Sequence, residues 1–161
     1  MAVRAGYRGY VGSRPVRGVS VPQRVQNLVV RDHAARHGLA YRLSLVEHAM
    51  PGSYLILADA LDELPRLDGL ILFSLFMLPP SRARRLEVYR RVIEEGAALH
   101  AALENMALRD APGIAAFEEL IEVALTLPAT PLGGRYDKAV DDERARVADP
   151  FWRALDGALA G

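Results

Sequence analysis

A short, unbroken apolar run near the middle of the chain constrains the fold more than any other feature. Its centre is Leu70-Ile71-Leu72-Phe73, with Pro65 before it and Pro79-Pro80 after it. The run is too short for a long helix, and continuous apolarity is typical of a strand buried on both faces. Such a strand lies in the middle of a parallel sheet that helices cover. The sequence therefore predicts an α/β fold.

Strand-like and helix-like segments alternate over residues 1–127, which we expect to form one domain. Strands are predicted over 3–11, 39–46, 67–75 and 97–103. Helices are predicted over 22–37, 51–64 or 53–64, 81–96 and 112–127. This order indicates a mainly parallel sheet of four to five strands flanked by helices. A last amphipathic helix is predicted over 141–159. We expect residues 128–161 to pack on the domain or at the interface of a homodimer.

Composition excludes several classes of function. The 161 residues include no cysteine, which excludes disulfides and thiolate catalysis. No apolar run approaches the roughly 18–20 residues of a membrane span, and the amino terminus lacks the apolar stretch of a secretory signal. These observations predict a cytoplasmic protein. The formal net charge of zero argues against a general nucleic-acid binder.

Positive charge is concentrated in the first 44 residues. They contain Asp32 as their one acidic residue and eight arginines, namely Arg4, Arg8, Arg14, Arg17, Arg24, Arg31, Arg36 and Arg42. The local net charge is therefore +7, and the rest of the chain carries −7. This asymmetry predicts either a face that attracts anions or pairing with the acidic half of the domain or of a partner.

The predicted strands end at 12–14, 47–48, 74–77 and 104–105, and we call these four ends together the carboxyl-end rim. Ligands of open α/β sheets bind beyond the carboxyl ends of the strands, so the rim is the predicted site. Arg14 offers a guanidinium that matches phosphate or carboxylate oxygens, and Ser13 offers a hydroxyl beside it. The alternative is a turn serine followed by a surface arginine.

Two further groups of polar residues are ligand candidates. Arg8 and Tyr10 share one face of the first strand, where Arg8 needs either a ligand or a structural partner such as Glu47 or Glu104. Gln26 and Asn27 lie on the first helix, where they either bind sugar hydroxyls or are merely exposed.

The histidines do not have the spacing of a metal site. His33 and His37 are four apart on a helix, but no third ligand accompanies them, so no metal is expected. His100 is interpreted either as a hydrogen-bonded core residue or as the acid/base partner of Glu104 near the rim. No dinucleotide or phosphate-loop glycine motif is present, so no cofactor is predicted.

The order of elements over residues 6–110 resembles the catalytic domain of the serine recombinases, also called resolvases. Ser13 stands where the nucleophilic serine of that family would be, and Gln23 or Gln26 matches its helix glutamine. The arginines that the family places after its third strand have no counterpart in 73–80. Because they stabilise the transition state, the resemblance implies the resolvase-like fold without recombinase activity.

Several separated motifs over residues 6–127 resemble the sporadic carbohydrate cluster protein family. They are residues 6–10, Ser13-Arg14-Pro15, Pro22 with Gln26-Asn27, Ser53-Tyr54, residues 74–79, and His100 with Glu104-Asn105. The family is associated with gene clusters for unusual sugars of surface polysaccharides or secondary metabolites. The resemblance implies a role in sugar biosynthesis.

Together these features predict an enzyme that transfers protons on a sugar phosphate or nucleotide sugar, of the isomerase, epimerase or dehydratase type. The predicted catalytic residues are Ser13, Glu47, His100 and Glu104. The predicted ligand-binding residues are Arg8, Tyr10, Arg14, Gln26, Asn27, Tyr54 and Ser74. The alternative is a non-catalytic sugar- or phosphate-binding protein, or a partner protein of a carbohydrate pathway.

Overall fold

In the computed structural model, which describes residues 3–127, the central apolar run forms a strand with all four residues buried. The strands are β1 (Tyr7–Gly12), β2 (Tyr41–Glu47), β3 (Gly69–Leu72), β4 (Ala98–Ala101) and β5 (Met106–Leu108). The helices are α1 (Gln23–Arg36), α2 (Leu55–Glu63), α3 (Arg82–Glu94) and α4 (Ala111–Thr126). Short 3-10 helices span Leu64–Arg66 and Leu75–Met77.

The strands form one sheet in the order β2-β1-β3-β4-β5. The first four strands are parallel, and β5 runs antiparallel to β4. This confirms the predicted α/β class and the mainly parallel sheet. The strand β5 was not predicted, because three residues are too few for a periodic pattern. The turn before β5 contains Asn105 with a φ of 54°, a conformation that asparagine tolerates better than most residues.

Helices cover the sheet on both faces. Tyr7 and His100 point towards α1, where His100 meets His33. Arg8 and Tyr10, on the alternate positions of β1, are directed towards α2 and the loop before it. Alternate residues of β1 therefore face different helices, Tyr7 facing α1 and Arg8 with Tyr10 facing α2 and the loop before it.

A buried ion pair fixes α4 against α3. Arg85 donates from Nε and Nη2 to the two carboxylate oxygens of Glu118, each at 2.8 Å, and the Tyr89 hydroxyl donates to Oε1 at 2.8 Å. Burial alone would raise the pKa of Glu118, but these donors outweigh it and hold that pKa below its usual value. The carboxylate therefore stays ionised in the core.

No helix of the described residues is long and apolar enough to cross a membrane. The predicted C-terminal segment 128–161, with its helix over 141–159 and its Phe151 and Trp152, lies outside the described residues.

Candidate functional site

At the carboxyl-end rim, Glu47 is a buried structural carboxylate. Its Oε2 accepts hydrogen bonds from the Tyr10 hydroxyl at 2.7 Å and the Leu57 amide at 2.9 Å, and its Oε1 accepts from the Ile56 amide at 3.3 Å. These amides belong to the first turn of α2, which has no cap from its own side chains. Glu47 thus satisfies helix donors that would otherwise be unpaired. Burial and the Glu47 charge raise the pKa of Tyr10 well above its usual value.

The Gln26 side chain also hydrogen-bonds to backbone groups. The side chain is 1% exposed; its Oε1 accepts from the Gly12 amide at 3.0 Å, and its Nε2 donates to the Gly12 and Val21 carbonyls at 2.7 and 2.8 Å. All the hydrogen-bonding groups of its amide are engaged, so Gln26 fixes α1 to the end of β1. The neighbouring Asn27 is half-buried, and its Oδ1 makes no hydrogen bond within the described residues.

Ser13 and Arg14 hold the loop that follows β2. The Ser13 hydroxyl accepts from the Ala49 amide at 2.8 Å, and Arg14 Nη2 donates to the Met50 and Ser53 carbonyls at 3.0 and 2.7 Å. The guanidinium carbon of Arg14 lies 4.2 Å from the ring centre of buried Tyr54. Nε and Nη1 of Arg14 make no hydrogen bond with the described residues.

Ser74 and Glu104 form a second capping unit at the rim. Glu104 accepts from the Ser74 hydroxyl at 2.6 Å and from the Leu75 amide at 2.9 Å. The Ser74 hydroxyl in turn accepts from the Phe76 amide at 3.2 Å. The carboxylate therefore ties the turn after β4 to the 3-10 helix after β3, and it has the same kind of role as Glu47.

A small hairpin closes the rim from above. Val16 and Val19 exchange two backbone hydrogen bonds around Arg17 and Gly18, both of which have a positive φ. The Arg17 guanidinium carbon lies 5.0 Å from the Phe76 ring centre. The cavity beneath the hairpin has a volume of about 10 Å³, which is near the size needed for one water molecule. No sugar fits beneath the closed hairpin.

Arg8 lies at the opposite end of β1 from Arg14. It donates to the Leu43 carbonyl from Nε at 2.8 Å and forms an ion pair with Glu63 at 3.1 Å. The expected partners Glu47 and Glu104 were therefore wrong, because both lie at the carboxyl end of the sheet. The two arginines do not meet at one phosphate.

Around Arg8 is an open cavity that we call the amino-end groove. Its volume is about 570 Å³, and its lining residues are Ala5, Arg8, Arg42, Leu43, Glu63, Arg66 and Leu67. Three guanidiniums there face one carboxylate. Arg42 donates from Nε to the Ala5 carbonyl at 2.5 Å, and the exposed Arg66 side chain makes no hydrogen bond or ion pair with the described residues. The charge asymmetry included Arg42, whereas nothing in the sequence singled out Arg66.

His100 does not join Glu104. It is 2% exposed, and its Nδ1 lies 3.0 Å from Nε2 of His33 beneath α1. Glu104 lies in the turn beyond the strand, so no hydrogen bond links the two side chains and the predicted acid/base pair is not formed. The alternative interpretation, a core histidine in a hydrogen bond, matches this position.

His33, His37 and His100 form a cluster that the sequence did not reveal. The rings of His33 and His37 lie 4.3 Å apart, and His37 Nε2 is 2.8 Å from Asn105 Oδ1. Burial and the neighbouring histidines lower the pKa values of His33 and His100 to about 4. Within residues 3–127, no three histidine or carboxylate side chains are placed to hold a metal ion.

Comparison with protein-family models, curated proteins and solved structures finds no match to this chain. The resemblances to the sporadic carbohydrate cluster family and to the resolvases therefore stay predictions, and the chemistry has to be inferred from the side chains.

Proposed function

We propose that this protein is a non-catalytic binding protein for a phosphorylated small molecule, which it holds in the amino-end groove. The observation that carries the proposal is the excess of three guanidiniums over one carboxylate in an open cavity of about 570 Å³. That volume falls within the roughly 300–1,000 Å³ of small-molecule sites.

The chemistry of the groove favours an anion with more than one charge. Arg8 donates to Leu43 from Nε and to Glu63 from Nη1, which leaves its Nη2 available at a fixed position. Arg42 is anchored through Nε, so its two terminal nitrogens are free to take phosphate oxygens as a fork. Leu43 is 81% exposed and supplies an apolar wall beside these donors.

The sugar part of the ligand rests on the family resemblance, which implies a role in sugar biosynthesis, and the phosphate part rests on the arginines of the groove. The proton-transfer activity predicted from the sequence stays a prediction, and the contacts of its candidate residues weigh against it. Glu47 and Glu104 each accept hydrogen bonds from backbone amides, and protonating either carboxylate would weaken those contacts.

The test is isothermal titration calorimetry of the full chain with a panel of sugar phosphates and nucleotide sugars, which measures Kd. We expect a binder whose Kd rises at least about tenfold in Arg42→Gln/Arg66→Gln, because charge-assisted hydrogen bonds contribute about 1.5–3 kcal/mol each. The matched rim variant Arg14→Gln should leave Kd within about twofold.

Two results would overturn the proposal. One is an affinity that depends on Arg14 and not on Arg42 or Arg66. The other is uptake of deuterium from solvent into a bound sugar, measured by mass spectrometry, which would establish proton-transfer catalysis.

The remaining predictions concern the location, the oligomeric state and the partners of the protein. We infer a cytoplasmic homodimer that acts with enzymes of a carbohydrate pathway and does not bind nucleic acid. Light scattering at several concentrations tests the dimer, and a fluorescence-anisotropy titration with labelled duplex DNA tests the absence of nucleic-acid binding.

A further inference from the structure

A second cavity lies at the amino ends of β3 and β4, on the side of the sheet that faces α1. It has a volume of about 330 Å³ and is lined by Arg4, Tyr7, Asp68, Gly96, Ala97, Ala98 and Arg109. Arg109 reaches this end of the sheet because β5 is antiparallel, so the residue after it returns towards the start of β4. We call this cavity the Arg109 pocket.

Two donors in the Arg109 pocket have no partner among the described residues. The exposed Arg109 guanidinium makes neither a hydrogen bond nor an ion pair there, and the Tyr7 hydroxyl makes no hydrogen bond. Burial raises the pKa of Tyr7 despite the opposing charge of Arg109, so this hydroxyl stays protonated and able to donate. Arg4, by contrast, donates hydrogen bonds to the Leu67, Glu95 and Gly96 carbonyls.

The Tyr7 ring connects this pocket to the buried histidines. It meets the His100 ring edge-on at 5.4 Å. Gly69 makes this position available, because a Cβ at that residue would lie 2.8 Å from Tyr7 Cε1. Beyond Tyr7, His100 is joined to His33 by the 3.0 Å hydrogen bond.

Two ring nitrogens of the His33–His100 pair lack hydrogen-bond partners within the described residues. His33 Nδ1 and His100 Nε2 are buried without a hydrogen-bond partner. When both rings are neutral, either arrangement of the shared bond leaves one N–H donor and one lone pair unpaired. Buried polar atoms are rarely left so, and the unpaired lone pair is the position at which the pair can take up a proton.

We propose that the Arg109 pocket binds a small oxyanion, and that its occupation is coupled to proton uptake by the His33–His100 pair. Arg109 repels an imidazolium at His100, and an oxyanion seated on Arg109 and the Tyr7 hydroxyl cancels that repulsion. The proton comes from solvent and adds to the free lone pair of the histidine pair.

Other charged and titratable groups lie around the pair and the pocket. On α1 they are Asp32, Arg36 and His37; beside the sheet they are Arg4, Tyr7, Asp68 and Arg109. Asp32 is engaged with Arg36 at 2.7 Å, so it does not neutralise the histidines fully. Arg109 is the cation that an anion in the pocket reaches directly.

The experiment is an NMR titration of the histidine ring protons with and without saturating sulfate, which keeps its charge from pH 4 to 7. Ionic strength is matched with sodium chloride. We expect sulfate to raise the pKa at which the His33–His100 pair takes up a proton by about one unit. In Arg109→Gln that pKa should start higher than in the wild type and lose its response to sulfate.

The groove variant Arg42→Gln/Arg66→Gln is the matched control and should keep the full sulfate response. An equal response in Arg109→Gln would reduce the effect to general screening and overturn the proposal, as would no response in the wild type. Failure of ligand binding at the amino-end groove would leave this outcome unaffected, so the two proposals are tested separately.

Discussion

The two ends of the sheet use polar side chains in opposite ways. At the carboxyl-end rim, Glu47, Gln26 and Glu104 bond to backbone groups and leave a cavity of about 10 Å³. At the amino-end groove, Arg42 and Arg66 line an open cavity of about 570 Å³ and keep guanidinium nitrogens without hydrogen bonds to the described residues. Polar residues after parallel strands therefore serve equally well as helix caps, so their position alone does not identify a ligand site.

The largest expected effect tests the structural role of the rim. Replacing Glu47 by Ala orphans the Tyr10 hydroxyl and two amides of α2, and we expect a loss of about 3 kcal/mol in the free energy of unfolding. Urea denaturation followed by circular dichroism measures it. The control Glu63→Ala removes a half-exposed ion pair and should cost less than about 1 kcal/mol. A Glu47→Ala protein as stable as the wild type would show that the rim carboxylate is not a structural cap.

A smaller effect concerns pH and the histidine pair beneath α1. The pKa values of His33 and His100 are lowered to about 4, below their usual value near 6.5, so the unfolded chain binds more protons between these limits. Stability is therefore full above pH 6.5 and falls as the pH drops to 4. Urea midpoints across this range provide the measurement.

A histidine outside the cluster provides the control for the slope of stability against pH. His48 is exposed, and His48→Gln should leave the slope unchanged, whereas His33→Gln/His100→Gln should flatten it. Glu118 also loses its contribution in acid, but its pKa lies below the usual carboxyl value, so its effect falls at the lower end of the range. An unchanged slope in the double variant would remove the histidines from the explanation.

The smallest expected effect is on the stability of the groove variants. The Arg66 side chain has no hydrogen-bond or ion-pair partner among residues 3–127, and the Arg42 side chain makes one hydrogen bond to a carbonyl. We expect Arg42→Gln/Arg66→Gln to change the free energy of unfolding by less than about 0.5 kcal/mol. Urea denaturation checks this, and a loss above about 2 kcal/mol would indicate that these arginines hold the fold together rather than a ligand.

Much of the fold could be predicted because its signals are local. The run 67–75 identified the central strand, the breakers at Pro65 and Pro79 bounded it, and helical spacing gave the four helices. The strand β5 was missed because it is three residues long. Its pairing with β4 depends on the turn at Asn105 and on tertiary contact.

The candidate site was harder to predict because it depends on which end of an element a side chain occupies. Arg8 and Tyr10 do share a face of β1, yet one meets Glu63 at the amino end and the other meets Glu47 at the carboxyl end. Arg42 and Arg66 line the same groove, and His33 forms a hydrogen bond with His100. The members of each pair are far apart in the chain, so the spacing of residues along the sequence does not indicate that they meet.

The most direct test of the central claim is to map ligand contacts by backbone amide NMR during titration with inorganic pyrophosphate. We predict chemical-shift changes that concentrate at residues 5, 8, 42, 43 and 63–67, with a second set around the Arg109 pocket. Changes confined to residues 12–14, 47–54 and 74–77 would contradict the claim, because they would place the anion at the carboxyl-end rim.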